Sequence, residues 1–145
     1  MPIGDRAIVV NVPPEHVYDV VADYERYPEF GSDIVETAIE QREGAVQVVH
    51  FVVKVVRRIE YTLRLTHDRP NRIDWTLVSG NMMKTNDGGW QFNQMSGART
   101  EVRYHCVIGM GALVPRAVTM ALVDISLPKM LGEFKTRAEA LYRKR

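Results

Sequence analysis

From Ile59 to Thr66 the chain alternates without a break. Ile59, Tyr61, Leu63 and Leu65 are apolar, and the residues between them, Glu60, Thr62, Arg64 and Thr66, are polar. A period of two places the sets on opposite faces of a β-strand, one dry and one wet. The pattern recurs at Ile73, Trp75 and Leu77, and at Val102, Tyr104, Cys106 and Ile108 opposite Glu101, Arg103 and His105; Trp90 and Phe92 extend it. A sheet with one apolar, aromatic-rich face needs a cover. The last segment supplies one. From Leu113 to Arg145, Leu113, Ala117, Met120, Asp124, Leu127, Leu131, Phe134, Ala138 and Leu141 recur at threes and fours, which predicts a long amphipathic helix. Pro128 removes one backbone bond and should kink it near Asp124.

The rest of the chain fits around that pair. AIVVNV, Ala7 to Val12, reads as a strand that stops at Pro13-Pro14. Pro14 opens a helix with Val17, Val20, Val21 and Tyr24 on one face and Glu15 near its positive end. The stretch DYERYPEF, Asp23 to Phe30, then ends that helix ahead of Pro28 and puts Tyr24, Tyr27 and Phe30 in a turn. Either these aromatics plug the end of a core or they form a lid. Turn compositions follow at Arg42-Glu43-Gly44, Asp68-Arg69-Pro70-Asn71, Asn86-Asp87-Gly88-Gly89 and Ser96-Gly97-Ala98. With a further break near Arg57 and Arg58, they delimit about six strands, ordered as an antiparallel meander. Asn86 to Gly89 is read as a hairpin turn whose glycines take positive φ.

A chain of 145 residues fits one domain, 1–145, large enough for a core with a cavity beside it. Nineteen basic against eighteen acidic residues leave no excess to hold a phosphate backbone, so nucleic acid is not expected as a partner. One cysteine and no signal-peptide pattern point to the cytoplasm, and the longest apolar runs fall far short of the roughly 20 residues that span a bilayer. Catalytic signals are sparse. His16, His50, His67 and His105 are scattered without metal-ligand spacing, Cys106 sits among apolar strand residues, and no phosphate-loop, dinucleotide or nucleophile-elbow motif occurs. Gly109 to Gly111 reads as a strand-to-helix break. Neither metal nor cofactor is expected.

The segments VNVPPEHVYDVVADYERYPEF, KTNDGGWQF with TEVRYHCVI after it, and LPKMLGEFKTRAEAL resemble the START-like polyketide cyclase/dehydrase superfamily, near its coenzyme Q-binding START proteins and bacterial aromatase/cyclases. The likeness covers nearly the whole chain. It implies an α+β helix-grip (START/Bet v 1-like) fold: a curved antiparallel sheet of about seven strands wrapped around the C-terminal helix, two short helices after the first strand, and a deep cavity between sheet and helix. It also places the turn after the first helix at the cavity mouth, where Tyr27 and Phe30 would line or gate an entrance. Aromatase/cyclases of the superfamily polarise carbonyls with an arginine whose place here is taken by Leu65, although Trp90 and Tyr27 keep pocket-like aromatic positions. That departure favours binding over catalysis.

The expected ligand-binding residues are therefore Tyr27, Phe30, Tyr61, Leu63, Leu65, Trp75, Trp90, Phe92, Tyr104, Met120, Asp124 and Leu127. Asp124 either orients a ligand hydroxyl or points to solvent; His50 and Lys54 are expected on the outer face of their strand. The leading expectation is a hydrophobic small molecule, a polyprenyl quinone-like lipid or polyketide-like compound, bound for transport or presentation. Affinity would come mainly from buried area, at roughly 25 cal/mol per Å². Alternatives are a polyketide aromatase, cyclase or dehydratase, and a regulator that meets a macromolecular partner through Arg57, Arg58, Lys144 and Arg145.

Overall fold

A computed structural model describes residues 3–144. Seven strands form one antiparallel sheet: β1 (Ile3–Val10), β2 (Ile34–Glu43), β3 (Val46–Val55), β4 (Arg57–Asp68), β5 (Arg72–Gly80), β6 (Met83–Met95) and β7 (Arg99–Met110), in the order β1-β7-β6-β5-β4-β3-β2. β2 to β7 make the expected meander, and β1 adds beside β7. Between β1 and β2 lie α1 (Pro14–Ala22) and a 3₁₀ turn (Tyr24–Glu29) that packs on the edge strand β2. The first strand begins earlier and ends sooner than AIVVNV predicts, because β1 pairs with β7 from Ile3 to Val10. Arg145 lies outside the described residues.

Three of the predicted turns are turns. At the first, Gly44 has the positive φ of 58° that a residue without a side chain adopts cheaply. The break near Arg57 falls at Val56, whose φ is 65°. The fourth is not a turn. Asn86 to Gly89 lie inside β6, paired with Ile108 to His105 on β7, and the reversal before β6 is at residues 81–82. Gly88 is there for space rather than for φ: a Cβ would stand 2.2 Å from the His105 carbonyl oxygen and 2.8 Å from the Trp75 ring.

The C-terminal segment also departs from a single kinked helix. Residues 111–115 form a loop, α2 runs from Arg116 to Met120, a π-helical turn spans Ala121–Ser126, and α3 spans Leu127–Arg143. Pro128 has no N–H for the Asp124 carbonyl and its ring presses on that turn, and the wider π spacing relieves both. The Leu127 N–H reaches back to the Leu122 carbonyl. The extra residue shifts the helix phase, so Val118, Thr119 and Val123 are buried in place of Ala117, Met120 and Asp124. Beyond the break Leu127, Leu131, Phe134 and Ala138 face the sheet as predicted. Lys135 Nζ donates to the Val9 carbonyl at 2.6 Å and Glu139 accepts from the Asn11 backbone N–H at 2.9 Å, so α3 is fastened along β1.

Candidate functional site

A cavity of about 100 Å³ lies between the inner sheet face and the π turn with α3. Alternation aims the inward residues of β4 to β7 at it: Tyr61, Leu63 and Leu65 from β4, Trp75 from β5, Trp90 from β6 and Tyr104 from β7. Leu127 closes it from α3 and Tyr27 from the 3₁₀ turn. The other four expected residues lie elsewhere. Phe92 is buried beneath α1, 5.4 Å from the Tyr18 ring, in solid core. Phe30 faces outward from the cavity, 5.1 Å from the Phe134 ring and beneath the Arg137 guanidinium at 5.2 Å. Met120 and Asp124 are exposed, the consequence of the π turn.

The wall also contains residues that sequence reasoning did not single out. Phe51 stacks on Tyr61 at 5.3 Å, but β3 is apolar on both faces and alternation could not select its inner side. On its outer face His50 bonds Thr62 at 2.9 Å and Glu60 at 3.3 Å, as expected of a residue outside the pocket. Asn86, hidden by its turn-like context, accepts the Trp75 indole N–H at 2.9 Å. Phe134 joins the parts, 5.0 Å from Tyr27 and 5.3 Å from Trp90.

The stretch DYERYPEF is bolted down. Tyr24 is 1% exposed; its hydroxyl meets His67 Nε2 at 2.7 Å, and His67 Nδ1 lies 2.9 Å from the Ala45 carbonyl. A carbonyl only accepts, so Nδ1 carries the proton and Nε2 accepts from Tyr24. Tyr27 donates to the Val21 carbonyl. These two aromatics plug the fold. The cavity's boundary lies just beyond, where the 31–34 loop meets the helix: Ser126 Oγ donates to Asp33 at 2.7 Å, Lys129 Nζ to Asp33 at 2.8 Å, and the Ser32 N–H to Glu133 at 3.1 Å. Asp33, Ile34, Leu122, Ser126, Met130 and Glu133 form the cavity wall there. Burial raises the Asp33 pKa, but the bonds from Lys129 and Ser126 outweigh it and hold the carboxyl below its ordinary 3.8.

Deeper in, the polar groups are neutral. Burial, with the Cys106 thiol nearby, raises the Tyr61 phenol, and burial pushes Tyr104 well above its usual range. Both are enclosed by protein yet keep surface toward the cavity. Burial also raises the pKa of the Cys106 thiol. The Tyr61 hydroxyl has no hydrogen-bond partner among the described residues. These groups can donate to a carbonyl or hydroxyl oxygen; as protonated phenols they are not bases. Among the described residues no three His, Cys, Asp or Glu side chains are grouped to hold a metal ion, and no helix is long and apolar enough to cross a membrane.

Solved structures share this architecture. The Zhui aromatase/cyclase from Streptomyces sp. R1128 superposes with a TM-score of 0.85 at 19% identity, covering 95% of this chain and 93% of that one. A START superfamily protein from Mycobacterium smegmatis gives 0.84 at 16% identity, covering 96% and 98%. The di-domain aromatase/cyclase StfQ of the steffimycin pathway gives 0.74 at 22%, covering 96% of this chain and 45% of that one. No curated protein matches in sequence. The sheet gripping a long C-terminal helix is thus the START/Bet v 1 helix-grip fold. Since the family model described as polyketide cyclase/dehydrase and lipid transport matches residues 10–135, the chain belongs to that family.

Proposed function

We propose that the protein binds a hydrophobic small molecule bearing a carbonyl or hydroxyl oxygen, a quinone-like lipid or polyketide-like compound, in the cavity between sheet and helix, for transport or presentation. The observation that carries this reading is the unpaired Tyr61 hydroxyl inside an aromatic and aliphatic wall: apolar surface for affinity and one neutral donor for orientation. At about 100 Å³ the cavity is smaller than the roughly 300 Å³ at which ligand pockets begin. Binding therefore requires the wall at Leu122 and Met130 to move outward, and methionine adapts well to such guests. Native mass spectrometry of protein drawn from cell extract tests the reading. A retained apolar mass is expected. A protein that stays empty and shows no Trp fluorescence change with quinones, fatty acids or polyketide mimics would overturn it.

The second reading is a polyketide aromatase, cyclase or dehydratase. Tyr61 and Tyr104 favour it as donors to a developing enolate oxygen. The carboxylates that could take a proton, Asp33 and Glu133, sit at the boundary and are engaged in holding it shut. Incubation with a poly-β-ketone mimic separates the readings, because catalysis would release an aromatic product with new near-ultraviolet absorbance.

A further inference from the structure

Nine large hydrophobic residues are exposed among those described, and seven share one end of the grip. The pairings Ile34 with Val53, Val55 with Arg57, Tyr61 with Gly80 and Met83 with Met110 bring the start of β2, the β3–β4 reversal, the β5–β6 reversal and the end of β7 to that end. Val35, Val56, Val78 and Leu113 stand there, Leu113 97% exposed. The pairing of Ile3 with Val107 adds Ile3, and the helix that starts here adds Met120 and Ile125. The two others, Val9 and Leu141, lie toward the opposite end.

Charge and strain mark the same end. Lys54, Arg57, Lys84 and Arg116 are exposed there and have no ion-pair partner among the described residues, against an unpaired Asp124 and, further along β6 and β1, Asp87 and Asp5, while Arg58 and Lys129 are already paired with Glu36, Glu60 and Asp33. Val56 carries the strongest sign. It is a β-branched residue in the left-handed region, at φ 65°, with a side chain 71% exposed, so strain is borne without repayment from burial. The end is also continuous with the cavity's boundary, because Val35 adjoins Ile34 and Ile125 adjoins Ser126.

We propose that this end docks on an anionic lipid bilayer, the aliphatic tips entering the interface while the four unpaired cations meet headgroups, so that the boundary opens toward the membrane. Separate aliphatic tips interleaved with cations suit a fluid, negatively charged surface better than a rigid protein groove. The proposal rests on the hydrophobic-ligand reading for its purpose, not for its test. The full chain, without added ligand, is sedimented with vesicles of phosphatidylcholine alone or mixed with phosphatidylglycerol. It should bind the mixed vesicles about tenfold more tightly, and salt should weaken that preference. Leu113→Asn and Val56→Asn should each weaken binding by about tenfold, the lost insertion of one aliphatic side chain. Val56→Asn should keep or raise the melting temperature, since asparagine tolerates positive φ. Lys54→Glu with Arg57→Glu should abolish the preference for the anionic vesicles. The same variants should take up an apolar dye in solution like the parent, so failed docking and a failed ligand site read out separately. Absence of vesicle binding at low salt, binding that these variants leave intact, or a dimer or an acidic protein complex lost with Leu113→Asn would each overturn the proposal.

Discussion

Tyr61→Phe removes one oxygen from the cavity and nothing else. The ring keeps its stack on Phe51, 5.3 Å away at 20°, and no protein donor or acceptor is orphaned, because the hydroxyl pairs with none. Stability should therefore hold, since the substitution leaves no protein partner unsatisfied. A neutral hydrogen bond to a ligand carbonyl is worth about 0.5–1.5 kcal/mol net, which is about 2- to 12-fold in Kd. Trp75 and Trp90 stand in the wall, so intrinsic fluorescence reports binding directly. The assay compares a quinone with a hydrocarbon of the same skeleton: Tyr61→Phe should weaken the first by that factor and leave the second unchanged. Tyr27→Phe is the control. It breaks the bond to the buried Val21 carbonyl and should cost about 1–3 kcal/mol of stability. Equal weakening of both ligands by Tyr61→Phe, or a fall in its melting temperature, would refute the assignment of the hydroxyl to the ligand.

Trp90→Ala should destabilise the fold by about 3–5 kcal/mol in denaturant titration, because Trp90 packs on Tyr104 at 4.7 Å and Phe134 at 5.3 Å as well as facing the cavity. Gly88→Ala should prevent folding, read as loss of soluble expression, since its Cβ would overlap the His105 carbonyl. Asp33→Asn should speed ligand exchange in stopped-flow fluorescence by loosening the clasp to Lys129. Because the folded Asp33 pKa is lowered, the clasp's contribution is complete above the ordinary 3.8 and is lost as pH falls below it, so exchange in the parent should accelerate only in that acid range.

Alternation made the sheet legible, because a two-residue period on β4, β5 and β7 leaves no other way to bury Tyr61, Trp75 and Tyr104 together. The helix after Leu127 was legible for the same kind of reason. What escaped did so through competing signals. Asn86 to Gly89 carry turn composition, yet Gly88 makes room for the Trp75 ring and Asn86 satisfies its indole. Pro128 announced a break, but whether a helix answers with a kink or an extra residue is decided by packing, and that choice moved Met120 and Asp124 out of the site. The clasp joins Asp33 to Ser126, 93 residues apart, a separation at which no local pattern operates. The aromatics of DYERYPEF could be read from sequence as a core plug or as a lid, and local pattern could not choose, because the bonds of Tyr24 to His67 and of Tyr27 to Val21 that make them anchors depend on the fold.

The central claim is that the space between sheet and helix is where the ligand goes. Filling it is the most direct test. Leu63→Trp projects a larger ring into the cavity from the middle of β4, and Val53→Phe does so more gently from β3. The claim predicts that Trp fluorescence titration or calorimetry with an apolar ligand shows binding strongly weakened in both variants while their melting temperatures stay at or above the parent's. Unchanged affinity in variants that fold as well as the parent would contradict it, because the ligand would then lie elsewhere on the protein.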